Sequence, residues 1–261
     1  MEKEFNNNWA IILGASSGLG LASAKKLARH GMNLICIYRD RKSEAKSVES
    51  YYEKMRKSGT QLLSFNVDAT NPEKRAETLS KLVEKIPKGS VKLLLHSIAK
   101  GNLKPMLGDN NTLKHTDFVL TMEAMAVSLY DWTKSIFGAN LFSENAKILS
   151  FTSEGNTRAL KNYAAVSAAK ASLEAIARNI ALEFAPHKIT SNCIQAGMTE
   201  TNSFKMIPGS AELKKNALKR NPKKRLTQPE DVADVVYLLC KEEANWINGT
   251  VVKVDGGESI C

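Results

Sequence analysis

The chain has 261 residues, 43% of them hydrophobic, which is enough to bury one substantial core and ordinary for a single α/β domain. Its 37 basic and 27 acidic residues leave a formal charge of +10, yet they are scattered over many segments without aromatic-rich basic motifs, which argues against nucleic acid as the partner. Cys36, Cys193, Cys240 and Cys261 have neither CxxC nor Cys/His spacing, so no metal site is expected, and reduced thiols in a cytoplasmic compartment are.

Residues 1–8 are polar and read as a loose arm. Trp9–Leu13 is an apolar run of strand type, too short for a signal peptide or a membrane span. It leads into Gly14-Ala-Ser-Ser-Gly18-Leu-Gly20, after which Leu21, Ala24, Leu27 and Ala28 recur at helical spacing before a stop at Gly31. Strand, glycine turn, helix is the order a dinucleotide site requires. Glycine lets the main chain turn tightly beside the pyrophosphate, and free N–H groups at the helix start bind it. Gly14, Ser16, Ser17, Gly18, Leu19 and Gly20 are therefore cofactor candidates. The second strand, Asn33–Tyr38, ends in Arg39-Asp40-Arg41. An acid at the strand end would bind the ribose 2′-hydroxyl of NAD, whereas arginine accommodates the 2′-phosphate of NADP. With Tyr38 leading and Arg39 and Arg41 near it, NADPH is expected over NADH.

Residues 62–67 read as a third strand and 91–95 as a fourth, which runs into His96-Ser97-Ile98-Ala99 where open α/β sheets hold ligands. His96 is given no proton-transfer role, since a lone interior histidine is more often simply hydrogen-bonded. A long helix follows over 118–139, then a fifth strand over 146–151 that ends at Thr152-Ser153. From Asn162 an alanine-rich helix carries Tyr163 and Lys170, with six residues between them, nearly two turns. The pair shares one face, and Lys170 can send its side chain back toward the helix start. The position four before Lys170 is Val166, which has no proton to offer. A sixth strand over 189–194 runs into Ala196-Gly197-Met198-Thr199-Glu200-Thr201. Residues 202–226 mix Phe204, Met206, Ile207 and Leu213 with a basic cluster of Lys214, Lys215, Lys219, Arg220, Lys223, Lys224 and Arg225. That cluster is either a solvated helix face or a docking site for an acidic partner. Pro-Glu-Asp-Val-Ala at 229–233 opens a helix with acids in its first turn, and 251–257, ending Val-Asp-Gly-Gly, is the last strand.

Over residues 9–257 these motifs resemble the short-chain dehydrogenase/reductase superfamily. The resemblance implies a single-domain α/β fold, a Rossmann-type doubly wound parallel sheet of about seven strands with helices on both faces. Most members have three residues between Tyr and Lys and show Asn-Asn-Ala-Gly after strand four. This chain has the wider Tyr163/Lys170 spacing, His-Ser-Ile-Ala, an unaltered GxxxGxG loop, and Ser153 where common enoyl reductases carry a second Tyr. In these features it is most similar to the enoyl-acyl-carrier-protein reductase III type. Met125 falls where carbonyl reductases carry an Asn that links Lys to a water relay.

The resemblance makes Ser153, Tyr163 and Lys170 the catalytic set, with Lys170 also on the nicotinamide ribose. Asn66 and Val67 would flank adenine, Ser97, Ala99 and Gly197 would line the cofactor, the Thr199 main chain would bind the carboxamide, and Thr201 the pyrophosphate. Residues 202–226 would be a substrate lid, with Phe204, Met206 and Ile207 along an acyl channel; core contacts of two short helices are the alternative. The implied activity is NADPH-dependent reduction of the trans-2 double bond of an enoyl thioester, on acyl carrier protein or coenzyme A, as in fatty acid synthesis. Tyr163 would hydrogen-bond the enolate, with the α-proton from Tyr163 or water. A homotetramer is implied as well, and the basic cluster would recruit an acidic carrier protein. Two alternatives stay open: a 3-oxoacyl-thioester or other carbonyl reductase, and a non-catalytic NADPH-binding regulator.

Overall fold

The apolar runs become seven strands, β1 (Trp9–Leu13), β2 (Asn33–Tyr38), β3 (Leu62–Asn66), β4 (Val91–His96), β5 (Phe142–Thr152), β6 (Thr190–Ala196) and β7 (Val251–Val254). They pair in parallel in the order β3-β2-β1-β4-β5-β6-β7. β1, β2 and β4 are buried along their whole length, as strands covered on both faces must be. The structure, a computed structural model, describes residues 4–108, 110–207 and 209–261, with only the main chain of Lys42 and Ala45.

Side chains alternate across the sheet into two cores. Ala10 and Ile12 meet Leu21, Ala24 and Leu27 of α1 (Gly18–Arg29), Val48, Tyr52 and Met55 of α2 (Lys42–Lys57), and residues of the last helix. Ile11 and Leu13 instead meet Leu82 of α3 (Pro72–Lys85) and the helices that follow β4. Those are α4 (His115–Met122), α5 (Ser128–Gly138), which supplies Trp132 and Ile136, and α6 (Ala164–Glu183), which supplies Leu173 and Ile180. Two short helices, α7 (Asn202–Lys205) and α8 (Ser210–Arg220), precede α9 (Pro229–Leu239), whose Val232 and Val236 close the first core. The result is a single-domain, Rossmann-type sheet with helices on both faces. The chain winds outward from β1 to β3 and then returns to β4 on the other side of β1. The crevice beyond β1 and β4 is therefore the switch point where such sheets bind ligands.

Two expectations need correction. Residues 4–8 are not a loose arm. Phe5 is 5% exposed and packs edge-on against Tyr237, while Glu4 accepts a hydrogen bond from the Tyr237 hydroxyl and pairs with Lys241. Burying one aromatic ring ties the segment down; residues 1–3 lie outside the described residues. The long helix of 118–139 starts earlier, at His115, and is broken by a π-helical turn at Glu123–Val127. There Ser128 Oγ donates to the Ala124 carbonyl, and Ala124, Met125 and Ala126 are turned inward. No helix among the described residues is long and apolar enough to cross a membrane.

Candidate active site

A cleft of about 880 Å³ opens at the switch point, a volume suited to a cofactor with its substrate. Glycine shapes its floor. Gly14 has a φ of +86°, and a Cβ there would lie 2.4 Å from the Ser97 carbonyl oxygen. A Cβ on Gly20 would lie 2.1 Å from the Gly14 carbonyl oxygen, so the helix start and the turn touch main chain to main chain. Ser17 precedes α1 without supplying a side-chain cap, and the first turn holds no acid. Free N–H groups and the positive end of the helix dipole are thus offered to an anion, and this donor set fits a dinucleotide pyrophosphate. Gly14, Ser16, Ser17, Gly18, Leu19, Ser97 and Ala99 line the cleft. Gly20 does not line it; it lies behind Gly14 and acts through packing.

At the adenosine end, Tyr38, Arg39, Arg41 and Val67 line the cleft. Asn66 does not, because its amide is committed to the Asp40 main chain, accepting from the N–H at 3.0 Å and donating to the carbonyl at 3.0 Å. It pins the end of β2. Arg39 pairs with Asp68 at 2.5 Å, and Lys100 reaches the same carboxylate at 3.3 Å. Burial opposes ionisation of Asp68, but hydrogen bonds from Thr70 and the Lys100 ammonium outweigh it and hold its carboxyl at about 2. The Asp40 carboxylate accepts from Ser16 at 3.1 Å, which turns it onto the glycine loop. Asp68 and Lys100 escaped the sequence reading, for they carry no motif.

Ser153, Tyr163 and Lys170 meet at the other end. Tyr163 is the residue before α6, and its hydroxyl lies 3.5 Å from Ser153 Oγ. Burial raises the phenol above its ordinary value, and the Ser153 hydrogen bond opposes that rise. Lys170, 6% exposed, donates to the Phe151 carbonyl at 2.6 Å. Val166, at the alternative tyrosine position, is 4% exposed and packs with Met125 and Ala169. A Cβ on Gly101 would lie 2.6 Å from Val166 and 2.9 Å from Met125, so this wall is apolar and closed. His96 is fully buried beside Ser128, at 2.8 Å from its hydroxyl. Since that hydroxyl donates to Ala124, the imidazole donates through Nε2–H. Burial and then the Lys170 charge hold its pKa at about 3, so it stays neutral.

Burial also pulls the Lys170 ammonium down to about 8. Its charged form, present below that pH, is the stronger hydrogen-bond donor toward a hydroxyl-bearing ligand in the cleft. Loss of that proton as pH rises through about 8 should weaken nicotinamide-cofactor affinity between pH 7 and 9, by at most about tenfold. Fluorescence titration checks this, and in Lys170→Met the pH dependence between those values disappears.

Beyond β6, Gly197, Thr199 and Thr201 line the cleft, and Thr201 caps α7 by accepting from the Phe204 N–H. Phe204, 7% exposed, and Ile207 line it too, but Met206 is 75% exposed and does not; α7 turns it to the outer face, against expectation. Pro208 lies outside the described residues. The basic cluster is not one solvated face either. Lys214 pairs with Glu200 at 2.6 Å and Arg225 with Asp231 at 2.5 Å. Arg220 turns inward onto Glu154 and Glu258, leaving Lys215, Lys219, Lys223 and Lys224 on the outside.

The family model described as Enoyl-(Acyl carrier protein) reductase matches residues 14–259. The chain is 27% identical over 252 residues to an enoyl-acyl-carrier-protein reductase (NADH) of Bacillus cereus, covering 96% of each. It is also 27% identical over 254 residues to the NADPH enzyme of that name from Staphylococcus aureus, again covering 96% of each. The crystal structure of enoyl-acyl-carrier-protein reductase (NADH) from Aquifex aeolicus VF5 superposes with a TM-score of 0.84 at 26% identity, covering 98% of both chains. The chain therefore belongs to the enoyl-(acyl carrier protein) reductase family of short-chain dehydrogenases/reductases, which are NAD(P)H-dependent oxidoreductases.

Proposed function

We propose that this protein reduces the trans-2 double bond of an enoyl thioester with NADPH, as an enoyl reductase of fatty acid synthesis. One observation carries the reading: Tyr163, whose hydroxyl lies 3.5 Å from Ser153, lines the cleft together with Lys170, while the position used by carbonyl reductases is the buried Val166. The bound nicotinamide supplies the hydride. Tyr163 donates a hydrogen bond to the thioester oxygen as negative charge develops there, and its raised pKa keeps the phenol protonated for that task. The Lys170 ammonium holds the ribose and favours Tyr163 as donor. Ser153 orients the phenol, and Val166 and Met125 keep the wall dry. In this reading α7 and α8 cover the acyl group with Phe204 and Ile207, the thioester is carried by acyl carrier protein or coenzyme A, and the enzyme works in the cytoplasm. It assembles as a homotetramer, which would cover exposed apolar side chains such as Leu182, Leu238 and Trp246.

Purified protein given NADPH with crotonyl or acetoacetyl thioester, side by side, tests this. Oxidation with the crotonyl substrate is expected. Turnover of acetoacetyl alone makes it a carbonyl reductase, and a folded protein that binds NADPH but turns over neither is a regulator.

The NADPH preference rests on Arg39 and Arg41, together with the commitment of Asp40 to Ser16. A charge-assisted arginine–phosphate contact contributes about 1.5–3 kcal/mol, roughly tenfold or more. Arg39→Ala should therefore cut kcat/KM for NADPH about tenfold and leave NADH unchanged. Equal efficiency with both cofactors in the wild type would sink the preference.

A further inference from the structure

The guanidinium of Arg220, at the end of α8, joins four separate segments around the cleft. It donates to both oxygens of Glu154, at 3.0 and 2.7 Å, and to Oε1 of Glu258 at 2.8 Å. The other oxygen of Glu258 accepts the Met198 N–H at 3.0 Å, in the loop that follows β6. Glu258 is 3% exposed and the Arg220 side chain 19%, so this is not a solvent-screened surface pair. The planar fork of arginine meets both Glu154 oxygens with two parallel N–H donors and still reaches Glu258, a bidentate geometry that an ammonium does not reproduce. Arg158 also approaches Glu154, at 3.4 Å, but is half exposed and bonds one oxygen only.

The Glu154 end leads directly to the catalytic pair. Glu154 follows Ser153, and the next N–H, of Gly155, donates to Ser153 Oγ at 3.2 Å. Gly155 lies flat on the Tyr163 ring: a Cβ there would be 2.5 Å from Cε1. Its carbonyl accepts from Ser167 on α6. Any movement of Glu154 is therefore passed to both the Ser153 hydroxyl and the phenol ring.

We infer that Arg220 is a positioning residue that clamps helix α8 to the turn carrying Ser153 and thereby sets the geometry of the Ser153–Tyr163 pair. Nothing in the sequence motifs marks it, because its partners lie 66 and 38 positions away. The inference deepens the proposed reaction and rests on that reading for its kinetic consequences only.

The test uses the full chain carrying Arg220→Lys, Glu154→Gln, or both. Each single variant should lower kcat about 10–100-fold, as small misplacements of reacting groups do, with KM and the NADPH Kd within about threefold. The double variant should be no worse than the poorer single, since both cut one linkage. Hydrogen exchange, which needs no substrate, should show amides of residues 154–157 opening at least about tenfold faster in Arg220→Lys, although the change is on another helix. Glu154, on a partly exposed turn, carries the same readouts if Arg220→Lys folds poorly. An unchanged kcat with a raised KM, losses that multiply in the double variant, or unchanged exchange at 154–157 each overturns the clamp. If the wild type reduces no thioester, the enoyl-reductase reading fails, and the exchange result alone still decides for or against the clamp.

Discussion

Tyr163→Phe is expected to lower turnover of crotonyl thioester by about 10²–10³ while leaving the fold and the cofactor site intact, the usual cost of deleting one preorganised donor. The substitution removes only the phenol oxygen. The ring stays, and with it the contact to Gly155 that seats the 153–155 turn. Among the described residues that oxygen's hydrogen-bond partner is Ser153 Oγ at 3.5 Å, the outer limit of a hydrogen bond, so its removal strands little. Ser153 also accepts from the Gly155 N–H and keeps that partner. Melting temperature and NADPH affinity should consequently match wild type, and the whole loss should sit in kcat measured in single turnovers with saturating cofactor. Turnover of crotonyl thioester at the wild-type rate would remove Tyr163 from the mechanism. A loss matched by weaker NADPH binding would instead make it part of the cofactor site.

The contrast between Gly14 and Arg220 shows what a sequence of this kind discloses. Strand, glycine turn and helix are local in the chain, so the order 9–31 is enough to announce the turn and its ligand chemistry. Tyr163 and Lys170 are legible because they are close in sequence, Lys170 on α6 and Tyr163 just before it, and both line the cleft. The polar network is another matter. Arg220 in a run of lysines reads as surface charge, and only the packing of α8 against the turn after β5 and the C-terminal turn shows that it faces two glutamates. Asn66 is the reverse case: the sequence places it next to the ligand, but its amide is consumed by the main chain of Asp40. Phe204 lies in α7 and Met206 directly follows it, both apolar, and only the way this segment docks shows that Phe204 turns inward and Met206 outward. The π turn at Glu123–Val127 is not displayed by the hydrophobic periodicity, which runs on through it.

Gly20→Ala should weaken the cofactor site through packing alone, without removing any charged contact. The glycine that the sequence marks as third in the loop does not touch the cleft; it lies where α1 crosses the carbonyl of Gly14. An added methyl would lie 2.1 Å from that oxygen and 3.0 Å from Ser97 Oγ, and the first of these neighbours is main chain with no rotamer to swing aside. Either α1 withdraws from the turn or Gly14 is pushed back. Gly14 cannot yield easily, for its own α-carbon faces the Ser97 carbonyl, so the turn and the start of β4's loop are already in contact. Overpacking of this kind costs about 1–3 kcal/mol, and since the displaced groups are the N–H donors for the pyrophosphate, the cost falls on binding as about 5–150-fold weaker affinity. Both NADPH and NADH should weaken together, because the pyrophosphate is common to them, whereas Arg39→Ala separates them. Isothermal titration with the two cofactors reads this directly. Unchanged affinity for both in Gly20→Ala would mean that the turn relaxes freely and that the glycine spacing carries no cofactor chemistry in this chain.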